Sequence, residues 1–558
     1  MNASKKSLKS LRSLRSLLPS RQDYRGLRTS WRGDVLAGIT VGIVALPLAL
    51  AFGVSSGTGA EAGLITAIVA GIVAAVFGGS NVQVSGPTGA MVVVLAPIVA
   101  SQGIEAVAIV TVLAGIIVVI AGVLRLGRTV SYIPWPVIEG FTVGIGIIIF
   151  LQQLPSALGT EGTEHPTNAI FAAGAFITAA QWPAALLPLG VVAAVIAIML
   201  LLSRISGRLP ASFIAIAIAT IVAQALSLPL ATIGELPASL PAPTVPSFSF
   251  DLTTLIGPAF AVAALASIES LLSARVASSM SDTGPYNADR ELVGQGLASI
   301  ASSFFGGMPA TGAIARTAVN VRSGGRTRLS AVVHALALLI VVYLAAQVVA
   351  VIPLAALSGV LMATAARMVS PTLIKQMLRT GRSEAAVFVI TGVITVSFDL
   401  IIAVGIGIAA AAFFALRALS KASGVHREEL PGSPEPGDER IALFRIDGSL
   451  FFGAAERLID RINDHEGIEV VIVRLSQLHL IDATGAHTLT ELITALEKRG
   501  VTVIIKGIRP EHLDVLKRLG VISSLRHPNH LFAELEPAIE HARSHIRRST
   551  LADEAATD

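Results

Sequence analysis

From about residue 34 to residue 419 the chain is a succession of apolar runs, most near the ~17–25 residues a helix needs to cross a bilayer. They fall at about 35–54, 60–79, 87–100, 104–124, 133–154, 184–203 and 209–226. After a proline-rich stretch at 227–250 they resume at about 253–275, 288–305, 313–321, 327–348, 352–368, 382–399 and 400–419. Residues 167–182 form a weaker candidate, read as a surface helix. Helices are the expected form, because hydrocarbon offers backbone N–H and C=O groups no partner outside their own turns. Beyond residue 420 the pattern changes. "IALFRI", "IEVVIVRL" and "VTVIIKG" read as buried strands, and "AAERLIDRIND", "GAHTLTELITALEKRG" and "PEHLDVLKRLG" as amphipathic helices. That alternation predicts a small α/β domain.

Two of the apolar runs are short and begin alike. "VSGPTGAMVVV" at 84–94 and "GGMPATGAIARTAV" at 306–319 both set proline, threonine, glycine and alanine before an apolar stretch, and Thr88 and Thr311 stand 223 residues apart. A helix that starts inside the membrane leaves its first N–H groups free, and the helix dipole draws an anion to them. Non-helical backbone at that depth is tolerated only around a protein-lined or watery cavity. Pro87 and Pro309 break the incoming chain, while Gly89 and Gly312 allow close backbone approach. Turns or close packing in a glycine-rich bundle explain either stretch alone. The matched placement favours two halves of one anion site.

Charge sets the orientation. Residues 1–32 carry nine Lys/Arg against one acidic residue, Asp23. "KKSLKSLRSLRSLL" reads as a basic flank that fixes topology, with a lipid-facing amphipathic segment as the alternative. With that end cytoplasmic, the loops holding Arg125/Arg128, Arg204/Arg208, Arg322/Arg326/Arg328 and Lys375/Arg379/Arg382 all fall inside. The stretch 227–250 has no Lys or Arg and falls outside. Fourteen spans return the C-terminus to the cytoplasm, and seven per half makes the halves inverted, as in many secondary transporters. The expected organisation is a basic segment 1–32, a transport domain 33–420 with repeats at about 33–226 and 250–420, a linker 421–439, an α/β domain 440–545 and a disordered tail 546–558.

Composition narrows the class. Of 558 residues, 53% are hydrophobic and 14% charged, against about 25% charged in a soluble domain. The absence of cysteine removes disulfides, thiol catalysis and Cys metal sites. No Ser-His-Asp, HExxH or Walker pattern suggests an enzyme. His165 sits in a polar loop and the other histidines lie mostly in the tail, so neither a metal site nor a cofactor is expected. No aromatics interleave the basic residues, which argues against nucleic acid, and no short apolar region with a cleavage site comes first, so a cleavable signal peptide is not expected. Within the apolar runs the ionisable residues read as Glu139, Glu269, Arg275 and Arg316. Such residues cost a few kcal/mol each to insert and usually serve function. Arg316, a turn after the second break, would supply fixed positive charge. Glu269, mid-run in "AVAALASIESLLSARV", would be a desolvated carboxylate suited to proton coupling, or else a structural partner of Arg275 or Arg316. Glu139 reads as interfacial, and Arg275 as snorkelling to the inner face.

These residues resemble the SulP anion permease family over roughly 30–535. The resemblance rests on "DVLAGITVGIVALPLALAFG", "VSGPTGA", "SIESLLSA" and "ELVGQGLASIASSFFGGMPATGAIARTAVNVRSGGRT". It implies a fourteen-span core of seven plus seven inverted segments, with uracil-permease-like core and gate domains, and a cytoplasmic STAS domain. It implies substrate contacts from Ser85, Gly86, Thr88, Gly89 and Ala90 on one side, and from Ala313, Ile314, Ala315 and Arg316 on the other. Pro47 and Leu48 would line the pocket. Many members have Gln where this chain has Leu48. Glu269 and Ser273 would hold the coupling ion: a proton first, with Na+ the alternative, since Ile314 replaces a hydroxyl of the sodium-coupled members.

The combination "PLALA", "IESLL" and "ATGAIAR" looks closest to the DauA-like dicarboxylate branch, which implies proton-coupled uptake of a C4-dicarboxylate. A sulfate or bicarbonate transporter, an anion channel and an exchanger are the alternatives. A nucleobase permease shares the fold but often has a second carboxylate where Arg316 stands. A membrane-anchored signalling protein has no need of paired half-helix sites. Thr484 in "LIDATGAHTL" matches the position phosphorylated in anti-anti-sigma factors; helix capping by Asp482 and Thr484 is the favoured reading. A homodimer in the inner membrane, with lipid around it and a cytoplasmic protein partner for the STAS domain, completes the expectation.

Overall fold

The computed structural model describes residues 17–24, 26–160, 168–206, 209–236, 239–246, 252–398, 400–422, 424–450 and 467–557. The expected helix 454–464, His165, Arg208 and most of the basic N-terminal segment lie outside them. The chain divides into two compact units, Met1–Ala409 and Ala410–Asp558.

The first unit is helical. Its elements are α1 (Leu27–Ser55), α2 (Ala60–Phe77), strand β1 (Ser85–Gly86), α3 (Gly89–Gln102), α4 (Ile104–Val123), α5 (Trp135–Gln152), α6 (Ala169–Ala179), α7 (Leu186–Ile205) and α8 (Ala211–Ala225). After the proline-rich stretch come α9 (Leu252–Met280), α10 (Ala288–Phe304), strand β2 (Thr311–Gly312), α11 (Ile314–Arg322), α12 (Arg328–Ala350), α13 (Leu354–Met368), α14 (Pro371–Thr380) and α15 (Arg382–Ser397), and then α16 (Leu400–Ala422), within which the boundary between the units falls. Each of the fourteen apolar runs coincides with one helix, and α6 takes the weaker candidate. Among the described residues, nine helical stretches are long and apolar enough to cross a bilayer. The two after the breaks, α3 and α11, are shorter, as the Pro/Thr/Gly/Ala stretches predict.

Packing repeats between the halves. Helix α1 lies on α12 as α9 lies on α4; α10 packs on α4 as α2 packs on α12; α7 packs on α13 as α15 packs on α5. Each contact has its counterpart seven runs away, as an inverted duplication requires. The halves meet at their centres, where β1 and β2 pair antiparallel with Ser85 opposite Gly312 and Gly86 opposite Thr311. One large core of small and branched side chains holds this group together, including Leu50, Met91, Leu95, Ile109, Ile145, Leu255 and Leu292.

More charge is buried than the apolar runs suggest. Asp34, Arg290, Glu291, Arg328 and His334 are all buried alongside Arg316. Asp34 accepts from the N–H groups of Arg326 and Thr327 at 2.7 and 2.9 Å, closing the start of α12. Glu291 accepts from the N–H groups of Gly79 and Ser80 at 2.7 and 3.1 Å, fixing the turn that leads into the first break. Arg290 pairs with Asp23 at 2.9 Å and ties down the segment before α1. These carboxylates are stable because each meets several donors. Arg275 is exposed, and Glu139 accepts from the Trp135 indole at 2.8 Å near the start of α5.

The second unit carries a mixed sheet of β3 (Gly424–Glu428), β4 (Ile441–Leu450), β5 (Val470–Arg474), β6 (Leu478–Ile481), β7 (Thr502–Lys506) and β8 (Leu531–Phe532). The order is β3-β4-β5-β7-β8, with β6 paired to β4; β3 is antiparallel and the other pairings parallel. Helices α17 (Ala483–Lys498) and α18 (Pro510–Arg518) cover one face through Leu489, Leu492, Ile493 and Leu516. Helix α19 (Leu535–Thr557) covers the other through Ala538, Ile539, Ala542 and Ile546. Two boundaries are corrected. Residues 424–428, expected within a linker, form the edge strand β3. Residues 546–557, expected to be disordered, continue α19, where Ser549 and Thr550 accept from Arg440 at 3.1 Å each.

Candidate functional site

The site lies where the two interrupted helices begin. Thr88 is the extended residue before α3, and Ala313 holds the same place before α11. The first-turn N–H groups of Gly89 and Ala90, and of Ile314 and Ala315, have no acceptor within their own helices. The breaks hold each other open. The N–H of Ala313 donates to the Val84 carbonyl at 2.9 Å, and the N–H of Val84 donates to the Thr317 hydroxyl at 3.0 Å. Asn320 donates to the Val82 carbonyl at 2.7 Å, and Gln83 to the Ser270 carbonyl at 3.2 Å. The Ser270 hydroxyl accepts from the N–H of Gly312 at 3.0 Å. Backbone that a continuous helix would satisfy internally is thus satisfied by backbone and side-chain groups gathered from both halves.

Arg316 is 2% exposed. Its Nη2 donates to the carbonyl of Pro87, across the pair of breaks. Its Nη1 is buried with no hydrogen-bond partner. Gly86 is what lets the guanidinium lie here: a Cβ on Gly86 would stand 2.7 Å from Nη1. A buried charged donor left without an acceptor costs about 1–3 kcal/mol or more, so the arrangement favours an acceptor from outside. Glu269 stands on the neighbouring α9, where its Oε2 accepts from the Thr88 hydroxyl at 2.7 Å. Glu269 and Arg316 act on each other electrostatically. Among the described residues no direct ion pair joins Glu269 to Arg316 or to Arg275, so a structural pairing with Arg316 would act through space.

The expected site residues fall in several separate places. Gly86, Thr88, Gly89, Ala90, Ala313 and Arg316 gather at the two helix starts. Ile314, 42% exposed, and Ala315 present open surface there. Pro47 is buried and Leu48 half-buried in α1, which also brings Phe52 against Gly89. Two hydroxyls are already engaged: Ser85 accepts from Gln295 Nε2, and Ser273 bonds Thr317 at 3.2 Å. Thr484 is exposed in the first turn of α17, whose cap is Asp482, accepting from the N–H of Gly485 at 2.7 Å.

Sequence reasoning missed the second layer. Gln295 links Ser85 to Glu291 at 3.0 Å, an i, i+4 pair on α10 that "ELVGQG" does display. His334 on α12 is fully buried, and Arg316 is near enough to act on it. Nothing in the sequence around His334 marks it. A cavity of about 710 Å3 runs along α3 from Val93 to Gln102, bounded across by Ile148 and Gln152 of α5, Pro258 of α9 and Ile402 of α16.

An inverted helical bundle with paired half-helix starts around a buried arginine is an arrangement suited to holding an anion within a membrane. Residues 31–391 match the sulfate permease family and residues 435–538 match the STAS domain. The putative sulfate transporter YvdB of Bacillus subtilis is 33% identical over 503 residues, spanning 88% of this chain and 94% of that protein. The solved transmembrane domain of the cyanobacterial bicarbonate transporter BicA is 33% identical, with a TM-score of 0.59 over 70% of this chain and 98% of that one. The overall structure of SLC26A9 shares the fold at 17% identity, with a TM-score of 0.81 over 97% of this chain and 94% of that one. The chain belongs to the sulfate permease family and carries a C-terminal STAS domain.

Proposed function

We propose that the protein is a secondary active transporter that moves a small inorganic oxyanion, sulfate or bicarbonate in class, across the cell membrane by alternating access. The observation that carries this reading is the free, buried Nη1 of Arg316 at the junction of two helix N-termini. One or two anionic oxygens there would accept from Nη1 and from first-turn N–H groups of α3 and α11, all pre-positioned. The relatives' names, sulfate for YvdB and bicarbonate for BicA, favour an inorganic anion over the C4-dicarboxylate suggested by the motifs.

Glu269 supplies the coupling. An ionised carboxylate beside the bound anion repels it, so a cation loaded on Glu269 promotes anion binding, and the anion promotes cation loading to the same degree. A proton suits the position better than Na+. Sodium needs several oxygens, and the Ile314 side chain offers none. The group α1–α4 with α9–α12 would then move against α5, α7, α8, α13, α15 and α16. The cavity along α3 follows the seam between these groups. In this reading both termini are cytoplasmic, the transporter is a homodimer, and the STAS domain is a regulatory or docking module.

Proteoliposome uptake tests the reading. Labelled sulfate and labelled bicarbonate are supplied under an inward proton gradient, an inward Na+ gradient or neither, with fumarate as competitor. Saturable, gradient-driven uptake of either anion that Arg316→Gln weakens supports it. Uptake of fumarate alone restores the dicarboxylate reading, and conduction that no gradient can drive uphill makes the protein a channel.

A further inference from the structure

Far along the chain from the anion site, three histidines converge in the second unit. His530 ends the turn "HPNH" just before β8; His541 and His545 stand one turn apart on α19, in "HARSH". One ring nitrogen from each lies within 4.8 Å of the other two. Nε2 of His541 is 3.3 Å from Nε2 of His545. Two imidazoles bound to one tetrahedral Zn2+ at about 2.0–2.1 Å hold their nitrogens roughly 3.3–3.4 Å apart, so that pair already has ligand spacing. The ring of His530 packs on both others at 5.4 Å. Phe532 lies against His541 at 5.3 Å and limits its rotation.

A hydrogen bond between His541 and His545 would account for their approach. It does not account for His530, which is 3% exposed and whose Nδ1 is buried without a partner. A buried ring nitrogen with no hydrogen-bond partner, set beside two more imidazoles, has the chemistry of an unfilled ligand position. His541 and His545 are only half-buried, so an ion can enter from solvent. Exposed His527, its ring 6.2 Å from that of His530, or a water would complete four-coordination. Arg526 and Arg548 oppose a cation here, and Glu497 favours one.

We propose that His530, His541 and His545 form a binding site for a divalent transition-metal ion of the Zn2+ class, which fastens α19 to the β8 edge of the sheet. Three neutral imidazoles select this class over Mg2+ or Ca2+, which require oxygen ligands. The H-x3-H spacing on one helix is a recurrent half-site of such centres.

The test uses the full-length chain without a histidine tag, purified in detergent and stripped with a chelator. Co2+ is added first. The expected result is one equivalent bound, with the intense ligand-field absorption of tetrahedral cobalt, displaced by Zn2+. His541→Gln and His545→Gln should each weaken binding by ~100-fold or more, beyond the 10–100-fold typical of an outer-layer partner. His487→Gln, at an exposed position of α17, should change nothing. Zn2+ should also slow hydrogen exchange across α19 in the parent protein and not in the variants. Hydrogen exchange without metal establishes that each variant keeps α19; where one does not, the parent's cobalt spectrum decides. No stoichiometric binding, an octahedral cobalt spectrum, or equal affinity in the parent and both variants overturns the proposal.

Discussion

Replacing Arg316 by glutamine tests the anion site most directly. The change removes the guanidinium charge and the free Nη1, and the shorter glutamine amide also gives up the bond that Nη2 makes to the Pro87 carbonyl. Hydrogen bonds to charged groups contribute about 1.5–3 kcal/mol each. One such bond to the anion is lost, so at ~1.4 kcal/mol per tenfold the apparent affinity should fall roughly 10- to 150-fold. Arg316→Lys should fall between the two, since an ammonium keeps the charge but does not span both Pro87 and the anion as a planar fork does. Initial uptake rates in proteoliposomes over a range of anion concentration give KM and maximal rate separately. The expected signature is a raised KM in the order Arg, Lys, Gln, with protein that stays monodisperse in detergent. Monodisperse Arg316→Gln with an unchanged KM would show that the anion does not meet Nη1, and the site would have to lie elsewhere.

Glu269→Gln should abolish uphill uptake while anion exchange between the two sides persists, measured as counterflow with no gradient; concentrative uptake surviving the change would remove Glu269 from coupling. Gly86→Ala sets a methyl 2.7 Å from Arg316 Nη1 and should cut transport at least tenfold; normal uptake would mean that Arg316 has room to move. Glu291→Leu leaves the N–H groups of Gly79 and Ser80 unpaired at roughly 1–3 kcal/mol each, so the melting temperature in detergent should drop by several degrees, and less for Glu291→Gln. In the STAS domain, hydrogen bonding by Arg543 holds the Asp438 carboxyl below its ordinary range. A depressed folded-state pKa gives stability that is present above the unfolded value and lost as pH falls through the folded one. Arg543→Met should therefore speed hydrogen exchange around Asp438 at neutral pH and flatten its rise on acidification; unchanged exchange at neutral pH would contradict this.

The helical transport unit was legible in the chain because lipid leaves few choices. Apolar runs of fixed length must be helices, basic loops set their direction, and a proline–glycine break inside a run has to be met by other polar groups. The paired breaks, Arg316 and Glu269 were visible for that reason, as was the strand–helix alternation of the C-terminal domain. Four things required the tertiary structure. The antiparallel joining of Ser85–Gly86 to Thr311–Gly312 depends on contacts between residues more than two hundred positions apart. Which hydrogen bonds a hydroxyl already makes depends on its neighbours: Ser85 accepts from Gln295 and keeps its O–H to donate, and Ser273 shares a bond with Thr317, neither of which the local sequence shows. Buried charges such as Asp34 and Glu291 stand at the ends of apolar runs and are stabilised by backbone donors that no local pattern reveals. The meeting of His530 with His541 and His545 is likewise a product of α19 lying beside the sheet edge. Local chemistry and the solvent determine which elements form; which side chains meet is decided by packing, because distance along the chain carries no information about distance across it.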